Sequence, residues 1–171
     1  MAEQAGLRVI GSLDELSGWA GREVACSDWL AIEQDRVQRF ADATGDQQWI
    51  HVDPERAARE SPFKAPIAHG YLTLSLLPHL VESSLRIDGV GMAVNYGLDR
   101  VRLPAPVRVG ERIRARLVLE RIESVAGGVQ AHWTATVEVE GGAKPACVAQ
   151  MLVRYYPGPT EDRASRSPAW I

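Results

Sequence analysis

Two short polar segments of the chain carry residue types that suit acid–base chemistry. The first runs from Ala43 to Pro54 and contains Asp46 and His51, five positions apart, where a predicted helix ends and a turn follows. A carboxylate and an imidazole that converge on one water can divide general-base and general-acid work, and the unperturbed pKa of histidine is near neutral. On spacing alone, however, such a pair is more often an aspartate that caps a turn and a histidine packed at a surface.

The second segment runs from Pro66 to Tyr71 and precedes the most apolar stretch of the chain. The first N–H groups of a helix are unpaired and carry partial positive charge, which suits an oxyanion. Gly70 would let a ligand approach the backbone closely, or it relieves a tight entry from the loop into the helix. His69 either lines the same pocket or has a structural role in the loop.

Short helices are predicted around the first segment. The spacing of Ser12 and the glutamate three positions later is that of a capping box. An apolar stripe over residues 32–41 indicates a helix that ends at Gly45, and Asp53 followed by Pro54 is a typical helix start. These elements would hold the aspartate and the histidine on a loop between rigid pieces of chain.

A broadly apolar helix is predicted from Gly70 to Leu85, and its apolar circumference indicates deep burial. Pro78 lies inside it and predicts a kink or a helix in two parts.

After Gly91 the apolar residues alternate instead, which indicates strands. The run Met92 to Leu103 and three further runs are separated by the turns Gly127-Gly128 and Gly141-Gly142. The pattern therefore predicts an α+β fold, with one buried helix packed on one face of an antiparallel sheet.

Composition narrows the classes of function. The chain has 171 residues, 46% of them apolar, with a formal net charge of −3, which argues against nucleic acid as the main partner. Cys26 and Cys147 are too few for a disulfide framework, and the first residues have no signal-peptide pattern, so we expect a cytoplasmic protein with no membrane partner. We expect Cys147 to lie in the core.

The remaining polar residues receive simpler interpretations. His79 is interpreted as a packed or interface histidine, and His132 falls on the polar side of a strand and is expected to be exposed. The acidic and histidine residues of the two polar segments follow no strong metal-ligand spacing, so no metal and no cofactor is predicted.

Four stretches together resemble the MaoC-like dehydratases, which include the R-specific enoyl-CoA hydratases of the hydratase 2 type. The similarity extends over about residues 28–156 and is closest to the short, single-hotdog mycobacterial-type members. The stretches are Phe40–Pro54, Ala65–Leu74, Asn95–Arg102 and Pro106–Arg112.

The resemblance implies a hotdog fold, in which a long central helix is wrapped by a curved antiparallel β-sheet, and it implies a homodimer. It also implies reversible addition of water to a trans-2-enoyl thioester, giving the (3R)-3-hydroxyacyl thioester. The family's catalytic aspartate and histidine correspond to Asp46 and His51, and its oxyanion-binding backbone N–H corresponds to Gly70. Which of the two side chains is the base and which the acid stays open.

The chain departs from the family pattern between these two residues, where Gln48 and Trp49 replace the usual Asn-Pro. Gln48 keeps an amide on a longer side chain, and Trp49 adds bulk while losing the fixed φ of proline. We expect altered detail in the pocket, with the activity retained. The residues expected to contact substrate are Gln48, His69, Tyr71 and Asn95.

The acyl carrier is predicted to be coenzyme A, with acyl carrier protein as a second possibility. The segment from Arg100 to Arg121 is rich in arginine, and some of these side chains could bind the phosphates of the acyl carrier. The arginines that alternate along a predicted strand would equally suit its solvent-exposed outer face. The arginines are Arg100, Arg102, Arg108, Arg112, Arg114, Arg116 and Arg121.

Two alternative functions stay open: an acyl-CoA thioesterase on the same fold, and a non-catalytic acyl-CoA-binding hotdog protein. The chain divides into an N-terminal lead with a short helix (1–27), a single hotdog domain (28–156) and a proline-containing flexible tail (157–171).

Overall fold

The computed structural model describes residues 6–158 and 169–170, and helices precede a long meander of strands. The helices are α1 (Leu13–Ser17), α2 (Gln34–Thr44), α3 (Trp49–Val52), α4 (Pro54–Glu60), α5 (Gly70–Ser75) and α6 (Leu77–Glu82). The strands are β1 (Arg8–Ile10), β2 (Arg22–Cys26), β3 (Leu30–Ala31), β4 (Leu85–Ile87), β5 (Val90–Arg102), β6 (Arg112–Val125), β7 (Gly128–Val139), β8 (Cys147–Pro157) and β9 (Ala169–Trp170). Among these described residues, no helix is both long enough and apolar enough to cross a membrane.

The main sheet has seven strands in the order β2-β6-β7-β8-β5-β9, and β3 also pairs with β6. All of its pairings are antiparallel except the short parallel pairing of β5 with β9. Strands β6 and β7 are joined by a tight turn at residues 126–127, as the first glycine pair predicts. Strands β7 and β8 are joined by a longer loop over residues 140–146, which begins with a turn in which the N–H of Gly142 donates to the carbonyl of Val139.

The alternation of the long strands decides which face of the sheet forms the core. In β6 the residues Ile113, Ala115, Leu117 and Leu119 are buried, while the arginines between them are more exposed. Helices α5 and α6 pack on this apolar face. The predicted α+β layout is therefore what the chain adopts, and Cys147 lies in the core as expected.

The central helix is divided in two, as Pro78 predicts. Helix α5 ends at Ser75, and Pro78 lies in the first turn of α6. A proline is tolerated there because its missing N–H would have no helical partner in the first turn. Leu77 and Leu80 are almost completely buried, so the break leaves the apolar packing of the helix intact.

Five short strands, β1 to β4 and β9, were not predicted, and β2 is among them although it lies within the predicted N-terminal lead. Beside β2, the backbone of Ser27 continues the contact with β6, because its N–H donates to the carbonyl of Ala115 at 2.9 Å. The Ser27 hydroxyl accepts the N–H of Ala115 at 2.9 Å, and Ser27 is completely buried. Strand β1 pairs in parallel with β4 in a separate small sheet. Most of the predicted tail lies outside the described residues.

Candidate active site

Asp46 and His51 lie on the connection between α2 and α3. Helix α2 ends at Gly45, which adopts a left-handed conformation with φ of 78° and donates its N–H to the carbonyl of Ala41 at 2.8 Å. Glycine suits this position because it has no Cβ to clash. Asp46 follows at once with 54% of its side chain exposed, whereas His51 in α3 is buried.

The ring of His51 is held in one orientation by a main-chain carbonyl. Its Nδ1 lies 2.6 Å from the carbonyl oxygen of Ile67. Because a carbonyl oxygen only accepts, Nδ1 carries the hydrogen, and Nε2 of the neutral ring keeps its lone pair. The carbonyl of His51 itself accepts the side-chain amide of Gln34 at 2.8 Å.

The surroundings of His51 favour a neutral ring. Burial is the main cause that lowers its pKa below the ordinary 6.5, and the hydrogen bond to Ile67 opposes this effect. Nearby His69 lowers the pKa further, and the Asp46 carboxylate raises it. His51 is therefore a proton acceptor at neutral pH, with its free nitrogen at Nε2.

His69 is buried between the two predicted catalytic residues, and only 2% of its side chain is exposed. Its Nε2 lies 3.0 Å from the main-chain carbonyl oxygen of Asp46, and its ring stacks on that of His51 with centroids 3.8 Å apart. The ring of Phe40 lies 5.0 Å away. His69 was expected either to touch substrate or to have a structural role in the loop, and its enclosure favours the structural role.

Gly70 is the first residue of α5, and a main-chain pairing fixes its approach to the site. The N–H of Ala68 donates to the carbonyl of Val107 at 2.8 Å, and the N–H of Val109 donates to that of Pro66 at 2.9 Å. A Cβ at position 70 would lie 2.5 Å from Cδ1 of Leu103. Glycine thus lets α5 begin beside Leu103 without displacing the leucine side chain.

The other predicted contact residues are distributed differently. Gln48 is the exposed residue before α3, and Tyr71 is 71% exposed. Asn95 borders an apolar cavity between α6 and the sheet. Trp49, which replaces the family's proline, is half-buried, and the guanidinium of Arg56 lies 4.5 Å from its ring centroid.

One ligand atom each from Asp46, His51 and His69 can be chosen so that all three lie within 4.8 Å of one another. The geometry suits proton transfer better than a shared metal ion. Nδ1 of His51 and Nε2 of His69 face carbonyl oxygens. Each ring is left with one further nitrogen, and Nδ1 of His69 is buried without a hydrogen-bond partner among the described residues.

His132 is buried, contrary to the expectation that it is exposed. It does lie on the polar side of β7, but its Nε2 is 3.2 Å from Nε2 of Gln130 and 3.4 Å from a carboxylate oxygen of Glu123. Neighbouring side chains on the outer face therefore cover it. Alternation along a strand predicts the face on which a residue lies, and it does not predict what covers that face.

The arginines of β6 lie on the outer face of the sheet and pair with glutamates. Arg114 contacts Glu138 at 2.7 Å, Arg116 contacts Glu138 at 3.0 Å and Glu23 at 2.8 Å, and Arg112 contacts Glu140. Their side chains are thus held in cross-strand ion pairs, as the outer-face interpretation predicts. Arg100, Arg102 and Arg108 are exposed near the segment that holds His51 and Gly70.

Comparisons with a protein family, with similar sequences and with solved structures all point to the same family. The family described as "MaoC like domain" matches residues 16–142. The 3-hydroxyacyl-thioester dehydratase Z of Mycobacterium tuberculosis is 55% identical over 150 residues, which cover 87% of this chain and 99% of that protein. Nodulation protein N of Rhizobium leguminosarum bv. viciae is 44% identical over 143 residues, covering 82% of this chain and 89% of that protein.

Among solved structures, the (R)-hydratase from A. caviae involved in PHA biosynthesis matches with a TM-score of 0.66 and 25% identity. The match covers 81% of this chain and 96% of that chain. This likeness confirms the predicted hotdog fold, in which α5 and α6 together take the place of the single long helix. Because the family match and the similar dehydratase cover most of the chain, the chain belongs to the MaoC-like dehydratase family.

Proposed function

We propose that this protein catalyses the reversible addition of water to a trans-2-enoyl-CoA, giving the (3R)-3-hydroxyacyl-CoA. The observation that carries the proposal is the fixed tautomer of His51, which leaves Nε2 with a free lone pair in a cluster where ligand atoms of His51 and Asp46 lie within 4.8 Å of each other. The names of the similar dehydratase and hydratase support the reaction class. A module that only binds acyl-CoA has no need for this pair.

We propose a division of roles between the two side chains, which the sequence left open. The carboxylate of Asp46 accepts one hydrogen of the water and orients it, and Nε2 of His51 takes the other hydrogen as a proton while the water oxygen bonds to Cβ. Negative charge then develops on the thioester oxygen, where the N–H of Gly70 binds it. The imidazolium returns its proton to Cα, so His51 is neutral again and the atoms of one water have been added.

Turnover of crotonyl-CoA, followed by loss of the enoyl thioester absorbance with chiral analysis of the product, tests the proposal. We expect Asp46→Asn and His51→Ala each to lower kcat by at least about 10²-fold. Asp35→Asn, an exposed aspartate of α2, and His132→Ala on the outer sheet face are matched controls expected to keep the rate. An S product, or full rate in both site variants, contradicts the proposal.

The same assay separates the two alternative functions. A thioesterase would release free CoA, which a thiol reagent detects, because water would attack the carbonyl carbon and not Cβ. A binding protein would hold crotonyl-CoA without changing its absorbance. Either result in the folded protein replaces the hydratase assignment.

We propose that Arg108 contributes to binding the phosphates of CoA. Arg108 is exposed and its backbone pairs with Ile67, whose carbonyl holds His51. We expect Arg108→Gln to raise KM for crotonyl-CoA about tenfold, the value of one charged hydrogen bond, and to leave KM for crotonyl-pantetheine unchanged. Arg112→Gln is the control, because Arg112 is paired with Glu140 on the outer face. An equal effect on both substrates contradicts a phosphate contact.

We propose that the acyl chain extends along the central helix into the apolar cavity between α6 and the sheet. Pro78 is eight residues beyond Gly70, which corresponds to about 12 Å of helix. The lining is mainly apolar, and its polar side-chain atoms belong to Asn95, Trp133 and Tyr155. Lining residues include Pro78 and Val81 of α6, Asn95 of β5, Leu117 of β6, Trp133 of β7 and Met151 of β8.

We propose that the protein is a homodimer joined along β5. Among the described residues, β5 pairs with β9 only at Met92 and Ala93, so its edge beyond Ala93 has no partner strand there. Leu98 on this strand is 47% exposed. Light scattering should give twice the 18.7 kDa of one chain, and Leu98→Asp should halve the mass. Leu7→Asp, at a leucine that is 51% exposed, is the control. A wild-type monomer contradicts the proposal.

A further inference from the structure

His69 contacts both residues that the proposed function places at the reacting water, and it directly precedes Gly70. We propose that His69 is a positioning residue, held as a neutral imidazole, that fixes the main chain of Asp46 and the ring of His51 relative to each other. The inference rests on the proposed function for its meaning in catalysis. The tautomer and the contacts of His69 can be measured without turnover.

The protonation state of His69 follows from its hydrogen bonds. Its Nε2 lies 3.0 Å from the carbonyl oxygen of Asp46, and a carbonyl accepts, so Nε2 carries the hydrogen. Nδ1 of His69 is enclosed and has no hydrogen-bond partner among the described residues. A second proton at Nδ1 would create a buried donor without an acceptor, which is unfavourable. The enclosure therefore favours the neutral ring with hydrogen on Nε2.

The groups that face His69 support the same state. The ring of His51 stacks on it at 3.8 Å with an angle of 24° between the planes, so a charge on His69 would oppose a charge on His51. Phe40 of α2 offers no hydrogen-bond acceptor for a second ring proton. The carboxylate of Asp46 lies 3.9 Å from Nε2 and would favour a charge, but it is 54% exposed and screened by solvent. His51 is then the ring of the pair that takes the proton during the reaction.

The connection between Asp46 and His51 needs such an anchor. The four residues 45–48 are exposed, and the side-chain contacts of Gln47 are with α2, through Asp42 and Gln38. His69, which directly precedes α5, instead contacts this part of the chain in two ways. It forms one hydrogen bond with the carbonyl of Asp46, and its ring stacks on the ring of His51. A displacement of about 1 Å between reacting groups can lower a rate about 10²-fold, so the anchor matters even though His69 does not touch the water.

Two substitutions separate the two contacts. His69→Phe keeps an aromatic face against His51 and removes the N–H that binds Asp46. His69→Gln keeps an amide N–H that can reach the Asp46 carbonyl and removes the ring face. The matched controls are His132→Phe and His132→Gln, at a buried histidine on the outer face of β7.

We expect His69→Phe to lower kcat for crotonyl-CoA about 10- to 100-fold with little change in KM, and to shift the acid limb of the pH profile less than His69→Gln does, because phenylalanine still covers the ring face of His51. We expect His69→Gln to shift that limb to higher pH, because water reaches the uncovered face of His51 and its pKa rises. The His132 variants should lose stability and keep both kcat and the pH limb. A residue with only a structural role would behave like His132.

Nitrogen-15 NMR of the wild-type imidazoles gives a readout independent of catalysis. Hydrogen on Nε2 of His69, together with hydrogen on Nδ1 of His51, supports the proposal. Hydrogen on Nδ1, or a charged His69 at neutral pH, overturns it even if both variants fail to fold. Folded His69 variants with wild-type kcat and pH limb also overturn it. A wild type without turnover contradicts the proposed function alone, since the NMR result still decides the state of His69.

Discussion

Replacing Gly70 by alanine tests whether the backbone N–H at the start of α5 must occupy its present position. The added Cβ would lie 2.5 Å from Cδ1 of Leu103, whereas ordinary van der Waals contact begins at 3.4 Å. A relative movement of about 1 Å must therefore be shared between the Leu103 side chain and the first turn of α5, and such a displacement of a reacting group can cost about 10²-fold in rate.

The effect on stability should be smaller than the effect on rate. Leu103 is 43% exposed, and moving its side chain off its preferred rotamer costs about 0.5–1.5 kcal/mol. No positive φ is involved at Gly70, so alanine can adopt the helical backbone there. We expect Gly70→Ala to unfold in urea close to the wild-type midpoint and to lower kcat/KM for crotonyl-CoA about 10- to 100-fold, within the range for a weakened oxyanion donor.

A double variant identifies the cause of the loss. Leu103→Ala removes the atom that the new Cβ would meet, so Gly70→Ala/Leu103→Ala should recover most of the lost rate while Leu103→Ala alone stays near wild type. Full activity in Gly70→Ala would refute the view that this N–H needs its present position. Failure of the double variant to recover would refute the steric explanation.

Three further predictions concern the pH profile, the acyl cavity and the sheet. The acid limb of kcat/KM should have its midpoint below 6.5, because burial lowers the pKa of His51 from that value. A midpoint above 6.5 would contradict this. The contribution of neutral His51 to folding should likewise be complete above pH 6.5 and be lost as the pH falls toward the lowered pKa. Trp133→Leu should raise the ratio of kcat/KM for octenoyl-CoA over crotonyl-CoA by about tenfold, and an unchanged ratio would place the acyl chain elsewhere. Ser27→Ala leaves the N–H of Ala115 buried without its hydroxyl acceptor, so urea denaturation should show a loss of about 1–3 kcal/mol with kcat unchanged.

The long strands and the divided helix could be predicted because local patterns determine them. A half-buried antiparallel strand must alternate, and β6 alternates from Arg112 to Leu119. The break before Leu77 follows from Pro78, since a proline cannot donate to the preceding turn. The short strands could not be predicted in this way. Strand β2 has no clear alternation and forms through pairing with β6, far along the chain.

The sequence singles out the residue types of the candidate site, and it does not predict how they are arranged. Asp46 and His51 stand out by their chemistry and by their place after a helix. The tautomer of His51 depends on the carbonyl of Ile67, and that carbonyl is placed by pairing with the segment around Arg108. The role of His69 likewise depends on the approach of α5 to the loop after α2. Contacts of this kind join residues distant in sequence, and spacing along the chain does not encode them.

The cross-strand ion pairs on β6 also shape the electric field that a charged substrate meets. Each arginine paired with a glutamate on the outer face is largely cancelled at distances beyond the Debye length of about 8 Å. Arg100, Arg102 and Arg108 are exposed and form none of the ion pairs found among the described residues, and the backbone of Arg108 pairs with Ile67, whose carbonyl holds His51. On a chain with a net charge of −3, we expect such unpaired arginines to attract a polyanionic substrate locally. The rate at which the substrate associates with the protein should accordingly fall as salt is added. We expect a small part of the surface to account for this salt dependence.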